Sequence, residues 1–478
     1  MSRTIAKNAA LMTLASVGQK IISFVYFTII ARSIGVEGTG KYFFALSFTT
    51  IFVVFVDLGF TNVLVREAAK AKDKMQEYLS VILGTKLILA GLTYIAVVIA
   101  IRMMGYPIET RHLVYLSAVT MLFDSFHLTF YGVLRAVGDL KYEAISIMVS
   151  QFVTLILGSV FLYFHFPLIY LIAAFTVPSV LNALFAGSIL RYIYHIRLRP
   201  AYNRDIFLHI GRITIPFALA AILARFYSYF DSIILSRLAG DAAVGWYSIP
   251  YKITYAFQFI PLALVAALYP RFSEYYEHNR EKLAFLFQEG IKYLLIIVCP
   301  IAVGISVLAR DIVLQVYSPE YLPSILPLQI LMAGLIFSFI SFPIGAFLNA
   351  CNHQKTQTAI VALVLGVNIF LNLILIPIYG IVGAAVAALV GNILLTVLGY
   401  IVAPRITAIS HAYLFKTVVY VAISTAVMGA SVYYMKLFAH FTVAILVGMV
   451  VYIAMLFMTQ VVTRAEVLDI KQLLKRDV

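Results

Sequence analysis

Residues 6–31 read AKNAALMTLASVGQKIISFVYFTIIA, with Lys7 and Lys20 as the only charges, and this stretch decides what kind of protein the chain is. A hydrocarbon core of about 30 Å needs about 20 apolar residues in a helix, so the run is long enough to cross it. Lipid offers no hydrogen-bond partners, so the backbone must pair within the segment, as a helix does. The run also exceeds the roughly 7–15 apolar residues of a cleavable signal, so it is expected to be retained.

Similar runs recur to the end of the chain. Of its 478 residues 63% are hydrophobic and only 12% charged, with mean hydropathy +0.99. A water-soluble protein of this length needs far more polar surface. Hydropathy places about fourteen spans. The short alternating segments of a membrane barrel are absent, so the expected fold is all-α and polytopic. Cys299 and Cys351 stand far apart in apolar runs and are expected to pack between helices.

The formal charge of +14 raises the possibility of a nucleic-acid partner, but its distribution argues for topology. With the N-terminus in the cytoplasm, 23 of the 35 Lys and Arg residues fall in cytoplasmic segments and 7 outside. That bias is the positive-inside pattern. Both termini are therefore expected in the cytoplasm, and no nucleic acid is expected as a partner. The tail from Arg464 to Arg476, with Val467, Ile470 and Leu474 at helical spacing, suits a short surface helix.

An internal repeat follows the first span. Ala31-Arg-Ser-Ile-Gly35 is echoed by Ser236-Arg-Leu-Ala-Gly240, and Gly40 and Tyr42 by Gly245 and Tyr247, at a constant offset of 205 residues. The same offset pairs Lys20 with Arg225 and Phe24 with Tyr229. The repeat implies two parallel-related lobes of six helices, residues 1–208 and 209–404, followed by a helix pair and tail over 405–478. Two bundles rocking about a central site is an alternating-access design.

An ionisable side chain at mid-bilayer costs about 2.5–3.5 kcal/mol, so it usually faces a polar interior. Lys20 and Arg225, near the centres of their spans, are candidates for an anion site, the Arg fork suiting phosphate. Internal pairing with Asp57, Asp124 or Asp231 is the alternative. Lys252 lies among Tyr247, Tyr251 and Tyr255, spaced to share one helical face and able to stack on sugar rings. Lys86 and Lys292 are further cavity candidates, although both can snorkel to the headgroups. Asp124 and His127, three residues apart, and Asp231 and Asp57 are candidates for ion coupling or for plain structural pairing. Asn368 and Asn372 share a face and are expected to bridge helices. Gly380, Gly383 and Ala384 read as a tight turn and close packing.

Catalytic signatures are missing from the sequence. Gly40-Lys41 is followed by Tyr42, and the upstream spacing of a Walker A loop fails. No His-Glu-x-x-His or other metal-ligand cluster occurs, so neither a metal, a cofactor nor ATP hydrolysis is expected, and the chain does not read as an enzyme.

The sequence resembles the polysaccharide biosynthesis (O-antigen flippase-like) family of the multidrug/oligosaccharidyl-lipid/polysaccharide exporter superfamily. The likeness rests on ARSIGVEGTGKY from Ala31 to Tyr42, on Asp57-Leu-Gly-Phe60 with Arg66-Glu67, and on NLILIPIYGIVGAA from Asn372 to Ala385. It covers nearly the whole chain. The resemblance implies a MATE-like architecture with two lobes around a cationic cavity. It also implies translocation of a polyprenyl-pyrophosphate-linked oligosaccharide across the cytoplasmic membrane, with membrane lipids and polysaccharide polymerases or glycosyltransferases as further partners. A cation-coupled multidrug exporter is the alternative within transport, and a membrane-embedded glycan polymerase or glycosyltransferase the alternative outside it. The latter needs a large extramembrane loop, and the longest here, around Arg191 to Arg212, spans only about 20 residues by hydropathy.

Overall fold

A computed structural model describes residues 2–462. The surface helix expected around Val467, Ile470 and Leu474 lies outside the described residues. Fifteen α-helices run among the described residues, with no strand: α1 (Ser2–Asp57), α2 (Phe60–Lys70), α3 (Met75–Met103), α4 (Ile108–Val137), α5 (Lys141–Tyr163), α6 (Ile169–Tyr192), α7 (Arg204–Ala256), α8 (Phe259–His278), α9 (Arg280–Val307), α10 (Ala309–Val316), α11 (Ile325–Ala350), α12 (Gln354–Tyr379), α13 (Ile381–Val402), α14 (His411–Met435) and α15 (Phe441–Met458).

Twelve stretches of the described residues are long and apolar enough to cross a bilayer. Two of these, Leu11–Lys70 and Phe217–His278, run for 60 and 62 residues, long enough for two crossings of about 20–25 residues each with a connection between them. The first is broken at Gly35 (φ 69°, ψ −178°) and the second at Gly240 (φ 84°, ψ 179°). This backbone region is essentially closed to residues with a Cβ, so the glycine is what admits each break. Counting both stretches as two crossings gives the fourteen that hydropathy predicts. The two breaks stand 205 residues apart, at equivalent positions of the repeat.

The chain divides into two compact units, Met1–Ser248 and Ile249–Val478, with the boundary inside α7. In the first unit α1 packs on α3, α4 and α5, and α4 on α2 and α6. Phe60, Leu64, Leu79, Tyr131, Leu134 and Leu190 form a buried cluster. Between apolar helices, polar pairs supply part of the cohesion. Thr49 meets Ser117 at 2.7 Å, Thr120 meets Thr176 at 2.7 Å, and the Tyr131 hydroxyl donates to Asn182 at 2.5 Å. The connection 193–203 is strapped across the start of α3. The Gln76 amide donates to the Arg197 carbonyl at 2.6 Å and accepts from its N–H at 2.7 Å, and Ala201 N–H donates to the Ser80 carbonyl at 3.0 Å.

In the second unit α11 packs on α8, α9 and α13, and α14 on α9 and α15. Phe347 sits between Phe272 and Phe287, at 5.6 and 4.5 Å. Gly380 (φ 56°) turns the chain between α12 and α13, a Cβ on Gly383 would run into the Leu375 carbonyl, and Ala384 is fully buried, as the turn-and-packing reading expects. Cys299 and Cys351 are both buried free thiols.

Candidate functional site

The second crossing is itself interrupted. Leu58 (φ 45°) and Gly59 (φ 88°) adopt left-handed backbone and separate α1 from α2. Asp57 closes this break: Thr61 donates to its Oδ1 at 2.5 Å and Gly59 N–H to its Oδ2 at 3.2 Å. Lys86 on α3 completes the knot. Its ammonium donates to Asp57 Oδ1 at 2.6 Å, Thr129 Oγ1 at 2.6 Å and the Ser125 carbonyl at 2.9 Å. All three N–H donors of Lys86 are used, and its side chain is 0% exposed. Sequence reasoning gave this lysine a headgroup or cavity role; the structure instead makes it a buried counter-ion, because α4 supplies two acceptors beside the carboxylate.

Above this knot opens a cavity of about 440 Å³ within the first unit. Asp57, Thr61, Asn62, Ser125, Arg135 and Arg225 are its polar lining, with Phe217 and Leu128 among the apolar. Arg135 is committed to Glu143, donating from Nε at 2.8 Å and also from a terminal nitrogen. Arg225 on α7 differs: its side chain is exposed, and it makes no hydrogen bond or ion pair among the described residues. One guanidinium with unused donors on the wall of a polar cavity is an anion-binding arrangement.

The other predicted residues are distributed as follows. Lys20 is half-buried on α1 and is not among the residues lining this cavity, so the structure brings only one member of the Lys20/Arg225 pair to it. Asp231 is not the partner of either. It accepts from the Tyr247 hydroxyl at 2.8 Å and from Ser232 N–H at 2.7 Å, and is 6% exposed. Asp124 accepts from Ser179 at 2.6 Å, while His127 Nδ1 lies 3.6 Å from it, beyond hydrogen-bond distance. Tyr251 and Tyr255 in the second unit stack at 6.0 Å and 8° beside half-buried Lys252. Lys292 is buried inside the protein: it is 5% exposed and lies 3.5 Å from Glu289, which also accepts from the Tyr413 hydroxyl. Asn368 and Asn372 share a face as expected, but the Asn372 amide donates to Asn368 Oδ1 at 3.0 Å within α12 rather than bridging helices.

Sequence reasoning missed Asn62, Ser125, Thr129 and Arg135. The three polar neutral residues carry no charge to attract notice. Arg135 was absorbed into the charge count, although the turn at Gly138 (φ 86°) that returns Glu143 to it was a readable signal.

The second unit holds an apolar groove of about 390 Å³ between α9, α14 and α15. Pro300, Ile301, Ile305, Met428 and Ile453 are among its lining.

Twelve apolar stretches among the described residues, each long enough to cross a bilayer and two of them broken at a glycine, with buried polar knots between helices, define a multi-pass helical membrane protein. Family comparison narrows this. The polysaccharide biosynthesis protein family matches residues 5–276, more than half of the sequence, and the MatE family matches residues 216–374. The chain belongs to the polysaccharide biosynthesis protein family. Among its relatives, "Probable low-salt glycan biosynthesis flippase Agl15" of Haloferax volcanii is 22% identical, over 82% of each chain. "Capsular polysaccharide biosynthesis protein CapF" of Staphylococcus aureus is 24% identical, over 79% of this chain and 94% of that one. The fold matches that of the lipid II flippase MurJ in its inward closed conformation, with TM-score 0.76 at 17% identity, covering 93% of this chain and 98% of the other.

Proposed function

We propose that the protein translocates a polyprenyl-pyrophosphate-linked oligosaccharide across the cytoplasmic membrane by alternating access, without hydrolysing ATP. The observation that carries this reading is Arg225, a guanidinium unpaired among the described residues, on a polar cavity among membrane-crossing helices. Desolvating a pyrophosphate is expensive, and a charge-assisted fork offsets that cost. The relatives' names support the cargo class, since one is named a probable glycan biosynthesis flippase and the other a capsular polysaccharide biosynthesis protein.

In this reading residues 1–208 and 209–404 act as two six-crossing lobes, residues 405–478 are appended, and both termini are cytoplasmic. Lys20, Lys252, Tyr251, Tyr255 and Lys292 remain cargo-contact candidates, and Asp124, His127, Asp231 and Asp57 coupling candidates. One observation favours the alternative of a cation-coupled exporter: among the described residues Asp124 has only a serine hydroxyl within hydrogen-bond distance, which leaves its carboxylate capacity for a proton or metal ion. The test is reconstitution of purified protein in liposomes with a fluorescent lipid-linked oligosaccharide. Nucleotide-free flipping that requires the pyrophosphate is expected. Transport of lipophilic cations with no flipping would overturn the proposal in favour of the exporter.

A further inference from the structure

A second polar cavity, also of about 440 Å³, lies in the second unit at the C-terminal end of α9, away from its basic start at Arg280 and Lys282. Arg310, Lys436, Gln329 and Tyr433 line it, over Val303 and Val307. Lys436 is held in place: its ammonium donates to the Val307 carbonyl at 2.9 Å and meets Asp311 at 3.2 Å. Arg310, in the first turn of α10, is exposed and has no hydrogen bond or ion pair among the described residues. Asp311 therefore offsets Lys436, and the cavity wall carries a guanidinium unused among the described residues.

The surroundings fix the depth. At the end of α14, Tyr433, Tyr434, Leu437 and Phe438 are 52%, 65%, 60% and 86% exposed. Exposed tyrosines and large apolar side chains clustered at the end of a crossing helix mark the headgroup layer of a bilayer. The abundant anion at that depth is the phosphate of a lipid, and the Arg fork matches its oxygens.

We infer that this cavity binds the phosphate of a membrane lipid, with Arg310 forking two phosphate oxygens, Lys436 supplying a point charge, and the lipid chains lying along Val303 and Val307 of α9. The phosphate could belong to a bilayer phospholipid or to a polyprenyl carrier, and the chemistry of recognition is the same for both.

The full-length protein in detergent is titrated with dihexanoylphosphatidylglycerol and with farnesyl pyrophosphate, and with dihexanoylglycerol and farnesol as phosphate-free controls. Losing one charge-assisted fork should weaken phosphate binding by about 10- to 100-fold in Arg310→Gln. Arg310→Lys should recover part of that loss. Because Arg310 has no hydrogen-bond or ion-pair partner among the described residues, its removal orphans no carboxylate there; the paired change Lys436→Gln with Asp311→Asn provides a second variant that also leaves none. An Arg310-dependent loss for phosphatidylglycerol alone identifies a bilayer lipid; a loss for the isoprenoid pyrophosphate alone identifies the carrier. Unchanged affinity of Arg310→Gln for both probes, or equal binding of the phosphate-free controls, would overturn the inference. The readout is binding, so it stands or falls separately from the transport proposal.

Discussion

Gly40 and Gly245 occupy equivalent positions of the repeat and make the same contact in reverse. A Cβ on Gly40 would run into the carbonyl of Asp241, and a Cβ on Gly245 into the carbonyl of Val36. Val36 and Asp241 are themselves 205 residues apart, so the contact is reciprocal about a local two-fold relation. Each follows its helix break by five residues, Gly35 before Gly40 and Gly240 before Gly245. Small residues that admit close backbone approach are a characteristic way to join membrane helices, where apolar burial offers little.

Gly40→Ala and Gly245→Ala should each destabilise the protein by about 1–3 kcal/mol, as overpacking does. The two helices must separate for either methyl. Once separated for one, they accommodate the other at less cost, so the double variant should be less destabilised than the sum of the singles. Thermal unfolding in detergent measures this. Additive losses would show that the two glycines act independently.

The Asp57–Lys86 pair should tolerate joint replacement better than single loss. Lys86→Ala leaves Asp57 without its counter-ion, and Asp57→Ala leaves a buried ammonium; each should cost about 3–5 kcal/mol. Lys86→Met combined with Asp57→Asn removes both charges and should recover most of that stability. The check is unfolding temperature and yield across the three variants. A double variant no better than either single would show that the hydrogen bonds of Thr61 and Gly59, rather than the charge pair, dominate the knot.

The glycine pattern explains why the fold was legible in the sequence. Crossing helices are written in apolar runs, and the repeat marked Gly35 and Gly240 before their backbone angles were known. The site was less legible for a physical reason. Hydropathy locates a charge along a span but not around it. Lys86 and Arg225 look alike in sequence, yet Lys86 faces a threonine, a carbonyl and a carboxylate, while Arg225 faces a cavity. Lys292 likewise has Glu289 one turn earlier, and three residues of spacing alone did not reveal that Tyr413 would join them. Neutral partners such as Thr129 and Ser125 decide such cases, and they leave no charge signal.

Orientation is checked by single-cysteine labelling in intact cells. Positions 72, 199 and 109 are all exposed. With the termini cytoplasmic, a membrane-impermeant maleimide should label position 109 from outside, and positions 72 and 199 only after the cells are opened. The native Cys299 and Cys351 are buried and should contribute little background. External labelling at position 199 would invert the topology.

Arg225 should matter to transport more than to stability. It is exposed and unpaired among the described residues, so Arg225→Ala orphans no carboxylate and should leave the unfolding free energy within about 0.5 kcal/mol of the parent, as for ordinary surface changes. A lost charge-assisted contact to pyrophosphate is worth about 1.5–3 kcal/mol, which corresponds to a fall in cargo affinity of about 10- to 100-fold. Arg225→Lys keeps the charge but not the planar fork, so it should fall between the two. Lys20→Ala separates this reading from one in which both repeat positions hold the cargo. Lys20 is not among the residues lining the Arg225 cavity, so its loss should affect flipping less than that of Arg225. Flipping rates and thermal stability measured on the same reconstituted variants decide the matter. Normal flipping by Arg225→Ala at normal abundance would remove the cavity from the cargo path.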